Sequence, residues 1–276
     1  MNRIHAPEIE DYDWCPAVLR DTLTEVLRTS CEVFRVFDSA AKVVAEVLDE
    51  TGATRVVDLC SGSGGPAVVL LDALERLDGR RIDAVLTDKY PNAAAFARAE
   101  AEGRGRIVAR RDPIDATATL PEDLTGVRTL FNALHHFRPS MARAILGAAA
   151  RDRQPIACFE MVERSLQGVA IVGTTPFMVA ASVPFLKPRT WKRLALTYAL
   201  PVLPAMIAWD GFASCLRAYS PAELRQLVDG LGDENYQFRV FTRRAPWNPV
   251  RVTGVVGVPV MRARDRVQAM GAVPAI

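Results

Sequence analysis

The residues best equipped for chemistry fall in two short stretches. Residues 55–66 read Arg-Val-Val-Asp-Leu-Cys-Ser-Gly-Ser-Gly-Gly-Pro, and residues 131–139 read Phe-Asn-Ala-Leu-His-His-Phe-Arg-Pro. In the first, Val56, Val57 and Leu59 make a short apolar β-run. Gly62, Gly64 and Gly65 then allow backbone conformations and a close ligand approach that a Cβ would block. Pro66 suits a first helical turn, and residues 67–74 continue as a helix. Strand, glycine loop and helix in that order are where an α/β protein holds a nucleotide. In the second stretch, an imidazole with an ordinary pKa of about 6.5 can take a proton from a hydroxyl as a new bond forms. His135 and His136 are therefore candidate general bases.

Gly62-x-Gly64-x-x-Ala67 satisfies the relaxed dinucleotide fingerprint, but the acids around it point elsewhere. Asp58 sits inside the strand end, where a carboxylate repels a pyrophosphate and welcomes a cationic amino-acid moiety. Asp88 closes the second strand in Leu86-Thr87-Asp88-Lys89-Tyr90, so it faces the same crevice and can accept two hydrogen bonds from a ribose diol. Acid, apolar residue and glycine-rich turn together resemble the first motif of class I S-adenosylmethionine methyltransferases of the small-molecule type. Cys60 and Ser61 stand where that motif more often carries Gly-Cys or Gly-Thr. The resemblance covers about residues 40–160.

That resemblance implies S-adenosylmethionine as cofactor, held by Asp58, Cys60, Ser61, Gly62, Gly64, Asp88, Lys89 and Asn132, with Lys89 and Tyr90 flanking the adenine. Asp115 with Ala116 follows the third strand, where an acid and a small residue commonly receive the adenine amino group. Asp112 competes for this role, although its Asp-Pro context favours a turn. Phenolic O-methyltransferases carry a histidine base in an aliphatic-His-x-aromatic setting, which maps onto His135 with Phe137 in the aromatic slot; His136 orients substrate or is itself the base.

Marks of other methyltransferase subclasses are missing from the sequence. No Asn/Asp-Pro-Pro-aromatic segment, the device that holds a flipped base, follows the fourth strand, and no cysteine lies in a Pro-Cys context. Asn132, Glu160 and Glu163 do not make a convincing oxygen cage, so no metal is expected.

Composition is consistent with this reading. The 276 residues are 50% hydrophobic and 24% charged, enough for a large α/β domain with additions. Lys and Arg total 34 against 32 Asp and Glu, a balance that argues against nucleic acid as partner; Arg104, Arg106, Arg110 and Arg111 read as decoration of an exposed loop and strand start. The five cysteines show no CxxC spacing and the N-terminus carries no apolar signal segment, which reads as a cytoplasmic protein with free thiols.

Strands and helices alternate along the chain, predicting an α/β, doubly wound, mainly parallel seven-stranded sheet closed by a C-terminal antiparallel hairpin. Strands are expected at about 55–60, 82–87, 106–109, 127–132, 155–160, 236–243 and 250–259. The expected division is an N-terminal helical lid (1–50), a cofactor-binding core (51–163), a hydrophobic helical cap inserted after the fifth strand (164–217), a helix and hairpin completing the core (218–262) and a tail (263–276).

The cap is the oddest stretch, with no charged residue from Ser165 to Leu186 or from Leu194 to Trp209. Pro176, Pro184, Pro201 and Pro204 would interrupt membrane spans that are already short. A pocket-lining cap for a small-molecule substrate is favoured over a homodimer surface, and both over peripheral membrane contact. Trp209, Asp210, Phe212 and Arg217 are then pocket candidates, and Tyr12 and Trp14 close the other side. The function expected is transfer of a methyl group to a small, largely hydrophobic acceptor, with O-methylation favoured and positioning supplying much of the rate. A nicotinamide oxidoreductase of the same fold, a membrane-associated lipid or quinone methyltransferase and a non-catalytic S-adenosylmethionine-binding protein are the alternatives.

Overall fold

The computed structural model describes residues 2–187, 189–244 and 250–260. A 3-10 turn at Ile9–Asp11 precedes helices α1 (Ala17–Phe34) and α2 (Asp38–Thr51). Strand β1 (Arg55–Asp58) follows, then α3 (Gly65–Asp78), β2 (Asp83–Leu86), α4 (Ala93–Glu102), β3 (Ile107–Ala109) and β4 (Val127–Phe131). A second 3-10 turn, Leu134–His136, leads into α5 (Pro139–Arg151) and β5 (Ile156–Glu160). The insertion contains α6 (Leu166–Val172), α7 (Thr175–Ser182), α8 (Trp191–Leu194), a π-helical turn (Ala195–Ala199) and α9 (Val202–Arg217). Helix α10 (Pro221–Val228), β6 (Tyr236–Arg244) and β7 (Arg251–Pro259) close the fold.

The strands make the expected single seven-stranded sheet, in the order β3-β2-β1-β4-β5-β7-β6. The first five run parallel, and β7 pairs antiparallel with both β5 and β6. Residues of the hairpin turn beyond Arg244 and the tail from 263 lie outside the described residues. Every residue of β4 and β5 is buried; β5 reads as a near-continuous apolar run, whereas β4 carries Arg128 and Thr129, which are bound to Asp152 and Asp58. Alternation then sorts side chains between two layers. Val56 packs with α2, α3 and α4 residues such as Val44, Leu70 and Phe96. Val57 points the other way, among Ile145 of α5 and Leu224 of α10.

A third apolar cluster corrects the expected lid. Leu23 and Val26 of α1 pack with Val179 of α7 and Met206 and Ile207 of α9, so α1 and the cap share one core. Helix α2 belongs instead to the layer on the sheet, because Ala40, Val43, Val44, Val47 and Leu48 place an apolar face against it. The lid therefore ends before α2. The arginine cluster is also corrected: Arg106 is buried and reaches Asp72 and Glu75 at 3.3 and 3.4 Å, while Arg110 pairs with Asp112 and Asp123. Among the described residues no single helix is long and apolar enough to cross a membrane; α8 and its π-turn meet α9 at a 74° bend.

The glycine loop depends on one close approach. Gly64 caps α3 at φ +75°, and a Cβ there would come 2.7 Å from Leu86 Cδ1 and 2.9 Å from Ala99 Cβ. Gly79 has the same φ but open space around it. Gly79→Ala should therefore cost about 1 kcal/mol, the left-handed penalty alone, and Gly64→Ala about 3 kcal/mol, with overpacking added. Urea unfolding of both variants checks the difference.

Candidate active site

The ends of β1, β2 and β4 bring together the residues expected at the cofactor. Asp58 is buried, and its Oδ1 accepts the Thr129 hydroxyl at 2.7 Å. Burial raises its pKa to about 7, against the pull of hydrogen bonds from Thr129 and Ser61. Ser61 holds the loop down by donating to Asp58 O at 2.9 Å, and Cys60 turns it at φ +59°. Asp88 accepts the Gly62 amide at 2.8 Å on Oδ2 and the Tyr90 amide at 2.8 Å on Oδ1, and each oxygen keeps a further lone pair. Asp115 pairs with Lys89 at 3.1 Å and accepts the Thr117 hydroxyl at 2.6 Å; Ala116 beside it is buried. Asp112 is bound instead to Arg110. Tyr90 donates its hydroxyl to Asp13 at 2.9 Å, tying the second strand's loop to the N-terminal segment.

Helix α1 bounds this loop from above. A Cβ on Gly62, which has φ +56°, would lie 3.2 Å from Thr24 Cγ2, and one on Gly65 would clash with the Arg28 side chain. Arg28 is clamped between Glu32 and Glu102, and Asn92 donates to Asp21 at 2.9 Å.

Beyond β4 lies a cavity of about 400 Å³ between α1, the cap and the strand ends. Val26, Leu27, Ile171, Met178 and Ile207 give it an apolar wall, with Asn132, His136, Glu10 and Asp210 among its polar members. Asn132 reaches it from the left-handed region at φ +52°, held by Met161 N–H donating to its Oδ1 at 3.3 Å. Burial lifts Glu10 to a pKa of about 7 and Asp210 to about 6.

The two histidines take different places. His135 is fully buried and is not on the cavity wall. Its Nδ1 meets Glu160 Oε2 at 2.5 Å, and because a carboxylate can only accept, that nitrogen carries a proton. Nε2 has no hydrogen-bond partner and lies 3.9 Å from Glu8 Oε1. His136 does reach the cavity, with Nδ1 on Asp11 at 2.8 Å and 3.4 Å from Glu8. Burial pulls its pKa down, but Glu8 and Asp11 outweigh that and raise it to about 10, so it stands as an imidazolium at neutral pH.

Several substrate-side expectations are corrected. Arg217 is buried in an ion pair with Glu8 at 3.2 Å and with Asp11 at 2.5 Å rather than exposed to the cavity. Trp209 lies off the cavity wall and donates Nε1–H to Pro7 O at 2.9 Å, and Phe212 is likewise off it. Tyr12 and Trp14 stack on each other at 5.5 Å on the outer surface, with Trp14 68% exposed. Asp210 is the candidate that does line the cavity, capping the amides of Ile9 and Glu10 at 2.7 and 3.2 Å. Glu8, Glu10 and Glu160 carry no local motif: Glu8 and Glu10 sit in an acidic run, and Glu160 ends a short apolar one.

No protein-family model and no curated protein matches the chain. Among solved structures it is similar to the mitomycin 7-O-methyltransferase, with 18% identity over 79% of this chain and 53% of that one and a TM-score of 0.43. It is similar to human N-acetylserotonin methyltransferase in complex with SAM, with 15% identity, 87% and 55% coverage and a TM-score of 0.46. A SAM-dependent methyltransferase from Aquifex aeolicus shows 12% identity, 87% and 98% coverage and a TM-score of 0.48. The chain spans about half the length of the first two.

The charge state of His136 is directly measurable. Its raised pKa contributes stability that is fully present below the unfolded value of about 6.5 and is lost as pH rises through about 10. In an NMR titration the His136 ring should stay protonated through pH 8, and Asp11→Asn should bring its midpoint down by more than about one unit while flattening the loss of stability over that window.

Proposed function

We propose that this protein is an S-adenosylmethionine-dependent methyltransferase acting on a small, largely apolar acceptor. One observation carries the reading: acids closing β1 and β2 flank a glycine loop, and the adjacent strand β4 ends in Asn132, on the wall of an apolar cavity. The donor set fits that cofactor. Asp88 offers free lone pairs for a ribose diol, Asp58 lies on the side of the cationic amino-acid moiety and Asp115 on that of the adenine amino group, and Gly62 presents no side chain toward α1. Cys60, Ser61, Gly64, Lys89, Ala116 and Asn132 complete the proposed contacts. Bound S-adenosylmethionine supplies an electrophilic methyl group. The nicotinamide alternative is disfavoured by these acids and by β7, which inserts antiparallel beside β5 where the dinucleotide fold continues in parallel order.

The chain's own residues do the rest by holding. The apolar wall excludes water and orients the acceptor, and alignment of the reacting atoms supplies much of the barrier reduction in such a transfer. Of the two histidines, His135 is the favoured proton acceptor, because Glu160 orients its ring through Nδ1–H and its Nε2 makes no hydrogen bond, whereas His136 is already charged. O-methylation assisted by His135 is the favoured chemistry. The burial of His135 behind the cavity wall favours a second reading, transfer by positioning alone.

Asp88→Ala should weaken S-adenosylhomocysteine binding by about 2–3 kcal/mol, roughly 30- to 150-fold, in isothermal calorimetry. A loss smaller than threefold would remove Asp88 from the cofactor site, and binding of NADH in place of S-adenosylhomocysteine would overturn the cofactor. With an acceptor found by screening lipophilic phenols against labelled S-adenosylmethionine, His135→Ala should lower turnover by about 10²- to 10⁴-fold at unchanged S-adenosylhomocysteine affinity. Turnover within threefold of the unaltered protein decides for positioning alone.

A further inference from the structure

Among the described residues, one carboxylate on the cavity wall has no ionic or hydrogen-bonded partner. Glu163 is bound by Arg251 at 2.7 and 2.8 Å, and Asp210 takes the amides of Ile9 and Glu10. The side chain of Glu10 has neither kind of contact, although its backbone N–H and C=O are both engaged, the carbonyl by Arg20 at 3.0 Å. The 3-10 turn fixes the backbone from which this carboxylate enters an apolar cavity.

Its surroundings are short of positive charge. Glu8, Asp11 and Asp210 repel a charge on Glu10, and the His136 imidazolium attracts it while already engaged by Asp11 and Glu8. Arg217 is likewise committed to Glu8 and Asp11. Even so, Glu8 Oε2, fully buried and 3.4 Å from His136 Nδ1, lacks a hydrogen-bond partner. A carboxylate in an apolar wall, backed by further acids whose cations are spoken for, is complementary to a ligand that brings its own cation.

We infer that Glu10 is the charge-selecting anchor of this cavity and that the ligand it selects is a lipophilic amine, its protonated nitrogen paired with Glu10 and its hydrocarbon body among Val26, Leu27, Ile171, Met178 and Ile207. The same field rejects carboxylates and phosphate esters of equal size. The inference depends on the methyltransferase reading only for calling this ligand the acceptor; the binding itself requires no cofactor.

Octylamine, octanol and octanoate form a matched set of probes, titrated by calorimetry into the full chain without cofactor. Octylamine should bind about 10- to 100-fold tighter than octanol, and octanoate more weakly than either. Glu10→Gln should bring octylamine and octanol within threefold of each other and leave octanol affinity unchanged, which shows that the cavity is intact. In the unaltered protein the Glu10 carboxyl carbon resonance should move with octylamine and not with octanol, a readout that survives if the variant fails to fold. Equal binding of all three probes, preference for octanoate, or an amine preference that persists in Glu10→Gln overturns the inference. Since no S-adenosylmethionine is present, such a failure leaves the methyltransferase reading standing, and failure to bind S-adenosylhomocysteine leaves the amine site standing.

Discussion

A carboxylate sealed from solvent holds the N-terminal segment onto the rest of the protein. Glu8 is fully buried, accepts the Ser214 hydroxyl at 3.1 Å and pairs with Arg217 at 3.2 Å, both on α9 and more than 200 residues away in sequence. Removing one partner of such a pair leaves an uncompensated buried charge, at about 3–5 kcal/mol. Around it Asp11 joins Arg217 to His136, Asp210 caps Ile9 and Glu10, and Arg3 donates to the carbonyls of His135, Phe137 and Arg217. The segment before α1, the turn after β4 and the last cap helix are thereby one electrostatic unit. Glu10 owes its place in the cavity to that unit, since an exposed segment with no such ties would not hold a charge against an apolar wall.

The sheet supplies the complementary constraint. Parallel strands paired in register bring Asp58 level with Leu86 and Thr129, so the loops that follow them open at one edge. Both faces of the central strands are covered, which leaves that edge as the place where polar groups gather. There the loop is tightened by small-residue contacts and by backbone amides donating to Asp88. Helix α1 lies across the loop and shares a core with α7 and α9, so the glycine-loop crevice and the apolar cavity have one wall in common. Anything that shifts α1 acts on both.

The sequence by itself determined the sheet, because parallel core strands are short apolar runs and helices announce themselves by period and caps. Strand positions fall within about two residues of expectation, and Asp58, Gly62, Gly64 and Asp88 meet at one edge since each is fixed by its neighbours in the chain. What a residue types locally, such as a turn, a strand end or a glycine at positive φ, is written locally. The uncharged cap was also legible from composition, although composition was silent on which of its faces turn inward.

Tertiary structure alone decided which side chains serve the site. Arg217, Trp209, Tyr12 and Trp14 look like ligand contacts by type, yet Arg217 is consumed by Glu8 and Asp11, Trp209 by Pro7, and the last two by each other. Adjacent His135 and His136 are equivalent in sequence, and the fold separates them into a fully buried ring on Glu160 and a charged one on Asp11 at the cavity. Glu8 and Glu10 stand two places apart in an unremarkable acidic segment; one became a sealed structural ion and the other faces the cavity. The reason is physical: charge pairing is nearly independent of sequence distance, so a partner such as Arg217, 206 residues from Asp11, is chosen by the folded chain and leaves no periodic or local trace.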